Sequence, residues 1–331
     1  MKFGPVPLAD AEGSVLAHAQ PVDGRKLRKG HILDAADIAS MKAAGVQEVI
    51  VAQLSPGDVS ENAAAVEVSQ AILSAPEPGL TADAAFTGRV NLRAQQAGIL
   101  RVDETAVAKL NAINPGITIA TLPPWQRVTR GMMVATIKII PYAVAAEHVA
   151  AASEAARGAL ELCAPVLSHA SLVVTQLRSD ASEDKAVAAL RSRLAALDVT
   201  LETVETVPHQ AAYIAACLRR IEGDLILILT ASATSDVMDV GPVGLQQAGG
   251  HLTRFGMPVD PGNLLFLGSH AGRAVIGLPG CARSPALNGA DWVMERVICG
   301  VPPSAEDIAG MGVGGLLKEI PTRPQPRERR R

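Results

Sequence analysis

The sequence predicts an α/β fold in which helices cover both faces of a parallel sheet, and three observations support this. After Asp224 the chain is aliphatic from Leu225 to Leu229, the pattern of a strand that is buried on both faces. From residue 170 onward, strand-like and helical segments alternate, as they do in right-handed βαβ units. The composition is 48% hydrophobic but only 2% aromatic, which suits helices packed closely on a sheet.

In the first half of the chain, hydrophobic periodicity predicts short strands and helices in a mixed order. They are a strand at 14–17, helices at 34–44 and 57–73, a strand at 46–51, a helix at 104–111, strands at 117–122 and 133–140, and a helix at 145–162. Pro76, Pro78 and Gly79 interrupt this series and predict a linker.

The second half shows the regular alternation that defines the fold class. It predicts strands at 171–175, 199–204 and 224–229, helices at 182–197, 209–221 and 240–248, an appended hairpin at 264–268 and 274–278, and a final helix at 284–299. We therefore expect the strand at 224–229 to lie in the middle of the sheet.

These elements predict four parts along the chain. They are a small α+β N-terminal region at 1–75, a β-rich middle region at 79–163 that ends in a linking helix, an α/β domain at 166–303, and an extended C-terminal tail at 304–331. The tail carries Arg323, Arg327 and Arg329 to Arg331, and we expect it to be a solvated terminus that could steer an acidic partner.

Composition excludes several classes of function. The formal net charge is −3, so the broad basic surface of a nucleic-acid-binding protein is not expected. No apolar stretch reaches the roughly 18 residues that a membrane span needs, and the N-terminus lacks a signal-peptide core. The cysteines show no Cys-x-x-Cys spacing, which argues against a zinc knuckle or a disulfide framework. We therefore expect a reduced, cytoplasmic protein that binds neither nucleic acid nor membranes.

A polar loop follows the buried strand, at the edge where open α/β sheets bind ligands. Asp236 and Asp239 could bind Mg²⁺, accept hydrogen bonds from a ligand amine or hold a hydroxyl for proton transfer, or one of them could simply cap the next helix. Ser232, Thr234 and Ser235 offer hydroxyl and N–H groups that suit a phosphate, or they could cap the helix themselves.

A second candidate phosphate cradle begins where the strand at 274–278 ends. Pro279 and Gly280 form a turn, and Arg283 and Ser284 follow at the start of the next predicted helix. An arginine matches a phosphate through paired donors, although a turn with a solvent-facing arginine is the alternative. Cys281 lies in the same turn and is either a reactive thiol or a packed side chain.

A third segment could close the pocket. Asp260, Gly262 and Asn263 could place a carboxylate and an amide over it, although Pro-Gly is first of all a turn-forming pair. His209, His251 and His270 are scattered over different elements, so a metal cluster is not predicted.

These segments resemble the molybdopterin-binding domain family of the MoeA and MogA type. The similarity lies in the buried strand with its acidic loop, in residues 256–263, 278–285 and 288–292, and further away in residues 88–92, 135–141 and 311–320. It covers most of the chain and is strongest to the modules that, in fused relatives, precede a molybdenum cofactor nucleotidyltransferase domain.

The resemblance implies a three-layer α/β/α domain that binds molybdopterin or the molybdenum cofactor and acts in its biosynthesis or delivery, as a homo-oligomer. The pocket would be built from residues 230–239, 257–263 and 279–284. Two other functions stay open. One is a MoeA-like molybdopterin molybdenumtransferase, in which Asp236 and Asp239 are catalytic and hold Mg²⁺. The other is a non-catalytic partner of a cofactor cytidylyltransferase, suggested by the similarity of residues 311–321 to the segment that precedes that enzyme.

The sequence also differs from MoeA at positions that bear on catalysis. Val173 to Thr175 continue into Gln176 and Leu177, where MoeA has a Thr-Gly-Asp/Asn-Glu turn. Ala231 and Ser232 replace a pair of glycines, and the lysines of a Lys-Pro-Gly-Lys-Pro segment have no counterpart at 260–264. These differences favour binding over metal insertion.

Overall fold

The computed structural model describes residues 1–22, 24–177 and 183–319. The chain divides into two units, one formed by Met1–Gln96 with Leu100–Leu162 and the other by Ala97–Ile99 with Cys163–Arg331. Within the described ranges, the helices are all too short or too polar to cross a bilayer. Both helices and strands are abundant, which confirms the mixed α and β content expected from the sequence.

The elements up to residue 163 belong mainly to the first unit. Its strands are β1 (Lys2–Pro7), β2 (Val15–Leu16), β3 (Gln20–Val22), β4 (Arg25–Leu27), β5 (Glu48–Gln53), β6 (Asp58–Ser60), β7 (Leu80–Ala82), β8 (Arg89–Ala94), β9 (Gly98–Val102), β10 (Ile117–Thr121), β11 (Arg127–Val128), β12 (Met133–Ile139), β13 (Ala143–Ala145) and β14 (Leu160–Cys163). Its helices are α1 (Ala35–Ala43), α2 (Glu61–Ile72), α3 (Glu104–Ile113) and α4 (Ala146–Ala156).

Two apolar clusters organise this unit. The first lies around the antiparallel sheet β1-β5-β2 and helix α1, which begins at a capping box formed by Asp34 and Asp37. The second lies between helices α2, α3 and α4 and the sheet β10-β12-β8-β7. Helix α2 therefore packs in the same core as residues 80–162.

One predicted helix of this unit extends too far at its C-terminal end. The sequence predicted a helix at 145–162, but α4 ends at Ala156 and the chain continues as β14. The end has a local cause, because Arg157 is extended and Gly158 has φ +69, a value that glycine adopts without strain. Because the sequence on both sides of Gly158 is rich in alanine, a strong helix former, hydrophobic periodicity did not indicate that the helix ends here.

The second unit contains the alternating elements that the sequence predicted, together with β18 and α9, which it did not predict. They are β15 (His169–Gln176), α5 (Asp184–Ala195), β16 (Thr200–Pro208), α6 (Ala211–Leu218), β17 (Leu225–Leu229), α7 (Val240–Gln247), β18 (His251–Phe255), β19 (Phe266–His270), β20 (Arg273–Leu278), α8 (Gly289–Ile298) and α9 (Ala305–Gly310). The predicted start of α5, at residue 182, lies outside the described residues.

A six-stranded sheet with the order β16-β15-β17-β20-β19-β18 forms the centre of this unit. Strands β16, β15, β17 and β20 are parallel, whereas β19 and β18 are antiparallel to their neighbours. Strand β17 lies in the middle of the parallel part, as predicted, and all of its residues are buried.

Helices cover both faces of this sheet. Ile226 and Ile228 belong to a cluster with residues of α6 and α7. Leu225, Leu227 and Leu229 alternate with them along β17 and therefore face the other side, where they are also fully buried. Both faces of the central strand are thus removed from solvent.

Three details of the second unit differ from the prediction. The final helix begins at Gly289 and not at residue 284, because Asn288 and Asp291 form a capping box there and residues 280–283 make a short 3₁₀ turn. Strand β18 was not predicted. Residues 304–319, expected to be an extended tail, contain α9 with its Ser304 cap, and the terminal arginines lie outside the described residues.

Candidate functional site

The predicted pocket segments lie at one edge of the six-stranded sheet, which we call the carboxyl edge. The parallel strands β15, β16, β17 and β20 all end there, because parallel strands share their direction. Strand β19 runs in the opposite direction, with Phe266 opposite Gly277, so the segment that precedes β19 reaches the same edge. Residues 230–239, 257–263 and 279–284 therefore lie at a common edge.

Thr175, at the end of β15, anchors the loop at 230–239. Its buried Oγ1 accepts a hydrogen bond from the Ala231 backbone N–H at 2.8 Å and lies 2.8 Å from His209 Nδ1. One hydroxyl thus connects the ends of β15, β16 and β17. The sequence placed His209 at a helix start but did not reveal this contact.

Asp239 caps helix α7. Its Oδ1 accepts from the Val240 N–H at 2.7 Å, and its Oδ2 accepts from the Ser235 N–H at 3.1 Å. Asp236 is exposed, and its Oδ1 accepts from the Met238 N–H at 2.7 Å. The helix-capping alternative therefore describes Asp239, and both carboxylates stabilise the loop.

The carboxylates alone do not form a metal centre. Within the described parts of the chain, no group of three or more His, Cys, Asp or Glu residues is arranged to hold a metal ion. An Mg²⁺ ion at Asp236 and Asp239 would need oxygen ligands from a bound molecule and from water.

The hydroxyl residues of this loop point in different directions. Thr234 is buried, with its Oγ1 3.3 Å from Thr230 Oγ1, so it packs inward. Ser232 and Ser235 are exposed at the carboxyl edge. Of the three predicted hydroxyl ligands, these two serines are the ones accessible to a solute.

Arg283 connects the loop at 279–284 to the loop at 230–239. It also forms an ion pair with Glu183, which the sequence did not predict. Its Nε donates to Glu183 Oε2 at 3.1 Å and its Nη2 to Glu183 Oε1 at 3.2 Å, a bidentate pair. Nη2 also donates to the Thr230 carbonyl at 2.9 Å. Nη1 remains beside Gly280, where an added Cβ would lie 3.8 Å from it. Arg283 therefore presents one nitrogen to the edge while Glu183 balances its charge.

The other predicted residues of this turn are Pro279, Gly280 and Ser284, and they differ in exposure. Pro279 is buried and its carbonyl accepts from the Ala282 N–H at 2.9 Å, whereas Gly280 is exposed. Ser284 is exposed, and its Oγ accepts from the Ala286 N–H at 3.3 Å. Gly280 and Ser284 are thus the accessible members of the predicted cradle.

A buried ion pair between Arg193 and Asp291 holds the turn at 279–286 in place. Arg193 Nε lies 2.6 Å from Asp291 Oδ1, and the two side chains are only 8% and 5% exposed. The arginine also donates to the carbonyls of Ala282, Ser284 and Ala286. In the sequence, Asp291 lies in the segment 288–292 that carries the family resemblance, whereas Arg193 was not predicted to contribute to the site.

The segment at 257–263 is built around close backbone packing. Gly262 has φ +143, and a Cβ there would lie 2.6 Å from the Gly289 nitrogen, so glycine is required. Asn263 is exposed. Asp260 forms an ion pair with Lys318 at 2.7 Å, and its backbone pairs with Gly315 and Leu317. Lys318 thus brings a cation to a segment whose own sequence lacks one.

Cys281 lies in the supported turn and is half-buried. Burial raises the pKa of this thiol above its ordinary value. The thiol is therefore protonated at neutral pH, whereas a reactive cysteine needs a thiolate.

We expect Cys281 in the folded protein to react with iodoacetamide at pH 8 more slowly than the same cysteine in the urea-unfolded chain. The raised pKa lowers the thiolate fraction at that pH, and the rate should keep rising as the pH increases beyond the pKa of a free thiol. Peptide mass spectrometry after timed alkylation measures both rates. Equal rates in the two states would contradict the shift.

Comparisons with known proteins give limited information. A family model described as "Domain of unknown function (DUF8806)" matches residues 5–53. No curated protein matches the sequence. Among solved structures, the chain is similar to the molybdopterin biosynthesis MoeA protein from Pyrococcus horikosii, with 11% sequence identity, a TM-score of 0.30 and coverage of 94% of this chain and 76% of that chain. This likeness is too distant to indicate a function.

Proposed function

We propose that this protein binds molybdopterin, or the molybdenum cofactor made from it, at the carboxyl edge of the six-stranded sheet, and that it acts in the biosynthesis or delivery of that cofactor. The observation that carries the proposal is the meeting of the three loops at this edge. The same loops carry the residues that resemble the pocket of the molybdopterin-binding family.

The edge has the groups that a phosphorylated pterin requires. In our proposal the phosphate lies beside Gly280, where Arg283 Nη1 and the exposed Ser232 can donate to it. The exposed Asp236 accepts hydrogen bonds from the amine edge of the pterin. Lys318 is paired with Asp260, and Arg283 is paired with Glu183. A bound phosphate would therefore share each cation with the carboxylate that already contacts it.

The positions of the acidic residues favour binding over metal insertion. Both oxygens of Asp239 accept backbone hydrogen bonds, and one oxygen of Asp236 does so too. A molybdenumtransferase would require these carboxylates to organise Mg²⁺ and molybdate while they also hold the loop. Binding or delivery makes no such demand on them.

The direct test of this function is the mass of whatever small molecule co-purifies with the protein. The protein would be isolated from cells that make the cofactor and analysed by native mass spectrometry. We expect a bound mass that corresponds to molybdopterin, its metallated form or a nucleotide conjugate. The Arg283→Ala variant should lose this mass, whereas Arg191→Ala, which removes an exposed arginine on α5, should keep it. Folded wild-type protein without any bound pterin would contradict the proposal.

A further inference from the structure

The first unit contains a cavity that is separate from the carboxyl edge. Its volume is about 690 Å³, and its lining includes Phe3, Lys29, Glu61, Lys138, Ile140 and Tyr142. Pockets that bind small molecules typically measure about 300–1,000 Å³. The cavity therefore has the size of a binding site for a small organic molecule.

Two lysines and one glutamate set the charge of this cavity. Lys29 and Lys138 both interact electrostatically with Glu61. Lys138 Nζ also donates to the Thr87 carbonyl, and Lys29 Nζ lies 5.6 Å from the centre of the Tyr142 ring. The N-terminal ammonium of Met1 also lines the cavity, but it is paired with Asp58 at 2.6 Å. The two lysines therefore face one further carboxylate, and the cavity favours an anion.

The backbone and the side chain of Glu61 are both held in place by contacts with neighbouring residues. Its backbone N–H donates to the Tyr142 carbonyl at 2.9 Å. Its side chain packs against Gly88, since a Cβ there would lie 2.8 Å from Glu61 Oε2. Burial raises the pKa of Glu61, and the two lysines act in the opposite direction. A second anion can therefore engage the lysines without displacing Glu61.

Part of the cavity wall is apolar. Ile140 is 62% exposed and Phe3 is 58% exposed, and both line the same cavity, so they present apolar surface to it. The Phe3 ring stacks with Tyr142, with ring centroids 6.5 Å apart and an angle of 13° between the planes. An exposed apolar wall beside two cations matches a ligand with an apolar body and an anionic group.

We propose that this cavity binds a small aromatic monoanion, with its carboxylate or sulfonate at Lys29 and Lys138 and its ring against Phe3 and Ile140. The site is independent of the carboxyl edge and of the function proposed for it.

The test uses anilinonaphthalene sulfonate, an aromatic monoanion whose fluorescence rises in apolar surroundings, titrated into the full-length protein. We expect one saturable site, and Lys29→Gln and Lys138→Gln should each weaken it by about tenfold. Glu61→Gln should strengthen it, because the competing charge is removed. The control variants Lys26→Gln and Lys109→Gln change exposed lysines that do not line the cavity, and they should bind as the wild type does.

Opposite effects of the lysine and glutamate variants distinguish this site from general adhesion to apolar surface. The neutral analogue N-phenylnaphthylamine should bind more weakly than the sulfonate, and Arg283→Ala should leave sulfonate binding unchanged. The proposal is overturned if the wild type shows no saturable binding, if the cavity and control lysine variants behave alike, or if the neutral analogue binds equally well.

Discussion

Replacing Arg193 by alanine should lower the free energy of unfolding of the second unit by about 3–5 kcal/mol, the largest effect that we expect of a single substitution here. The change leaves the buried Asp291 without its ion-pair partner. It also removes the donors to the carbonyls of Ala282, Ser284 and Ala286. Urea denaturation followed by peptide-resolved hydrogen exchange reports the stability of this unit separately from the first.

The control is Arg191→Ala, on the same helix but exposed to solvent. A surface substitution of this kind usually changes stability by no more than about 0.5 kcal/mol. The double variant Arg193→Leu with Asp291→Asn should recover part of the loss, because no unpaired charge stays buried and an amide oxygen can still accept the capping hydrogen bond from the Asn288 N–H. If the two single arginine variants were equally stable, the buried pair would not support the turn.

Arg283→Ala should weaken binding of a phosphorylated pterin by about ten- to a hundredfold, which is the usual effect of losing a charge-assisted hydrogen bond. The dephosphorylated analogue should be affected much less, since the guanidinium is needed for the phosphate. Glu183→Gln should act in the opposite direction, because it releases Arg283 from its bidentate partner. Calorimetric titration of each variant with both ligands measures these differences.

Arg220 and Glu205 provide a matched control for this pair. They form an exposed arginine–glutamate contact in the same unit, on residues that do not belong to the three loops. Arg220→Ala and Glu205→Gln should therefore leave both affinities unchanged. Equal losses of both ligands in Arg283→Ala would mean that this arginine supports the turn and does not contact the phosphate.

The order of strands and helices in the second unit was predictable because each has a local signal. The aliphatic run of β17 can only be buried, and the alternation around it indicates βαβ units. Strand β18 was not predicted because it lies at the edge of the sheet and mixes polar and apolar residues, so it lacks an apolar pattern. The end of α4 was not predicted because a single glycine, Gly158, determines it, and the composition does not change there.

The candidate site was predictable as a set of loops but not as a set of contacts. Loop positions follow from the ends of strands, which hydrophobic patterns mark. Arg283 and Glu183 are separated by 100 positions, and Arg193 and Asp291 by 98, so no local pattern connects them. The pairing of Lys318 with Asp260 is likewise a product of the folded chain. The charged groups of these three pairs have no visible partner in the sequence, but each is paired with an opposite charge in the structure.

The most direct test of the proposed site is hydrogen exchange of the full-length protein with and without saturating molybdopterin. We predict increased protection in peptides that cover residues 230–239 and 279–284, with a smaller increase at 257–263. Peptides from the first unit should exchange at unchanged rates. Binding without protection of these loops, or protection confined to other parts of the chain, would contradict a ligand site at the carboxyl edge.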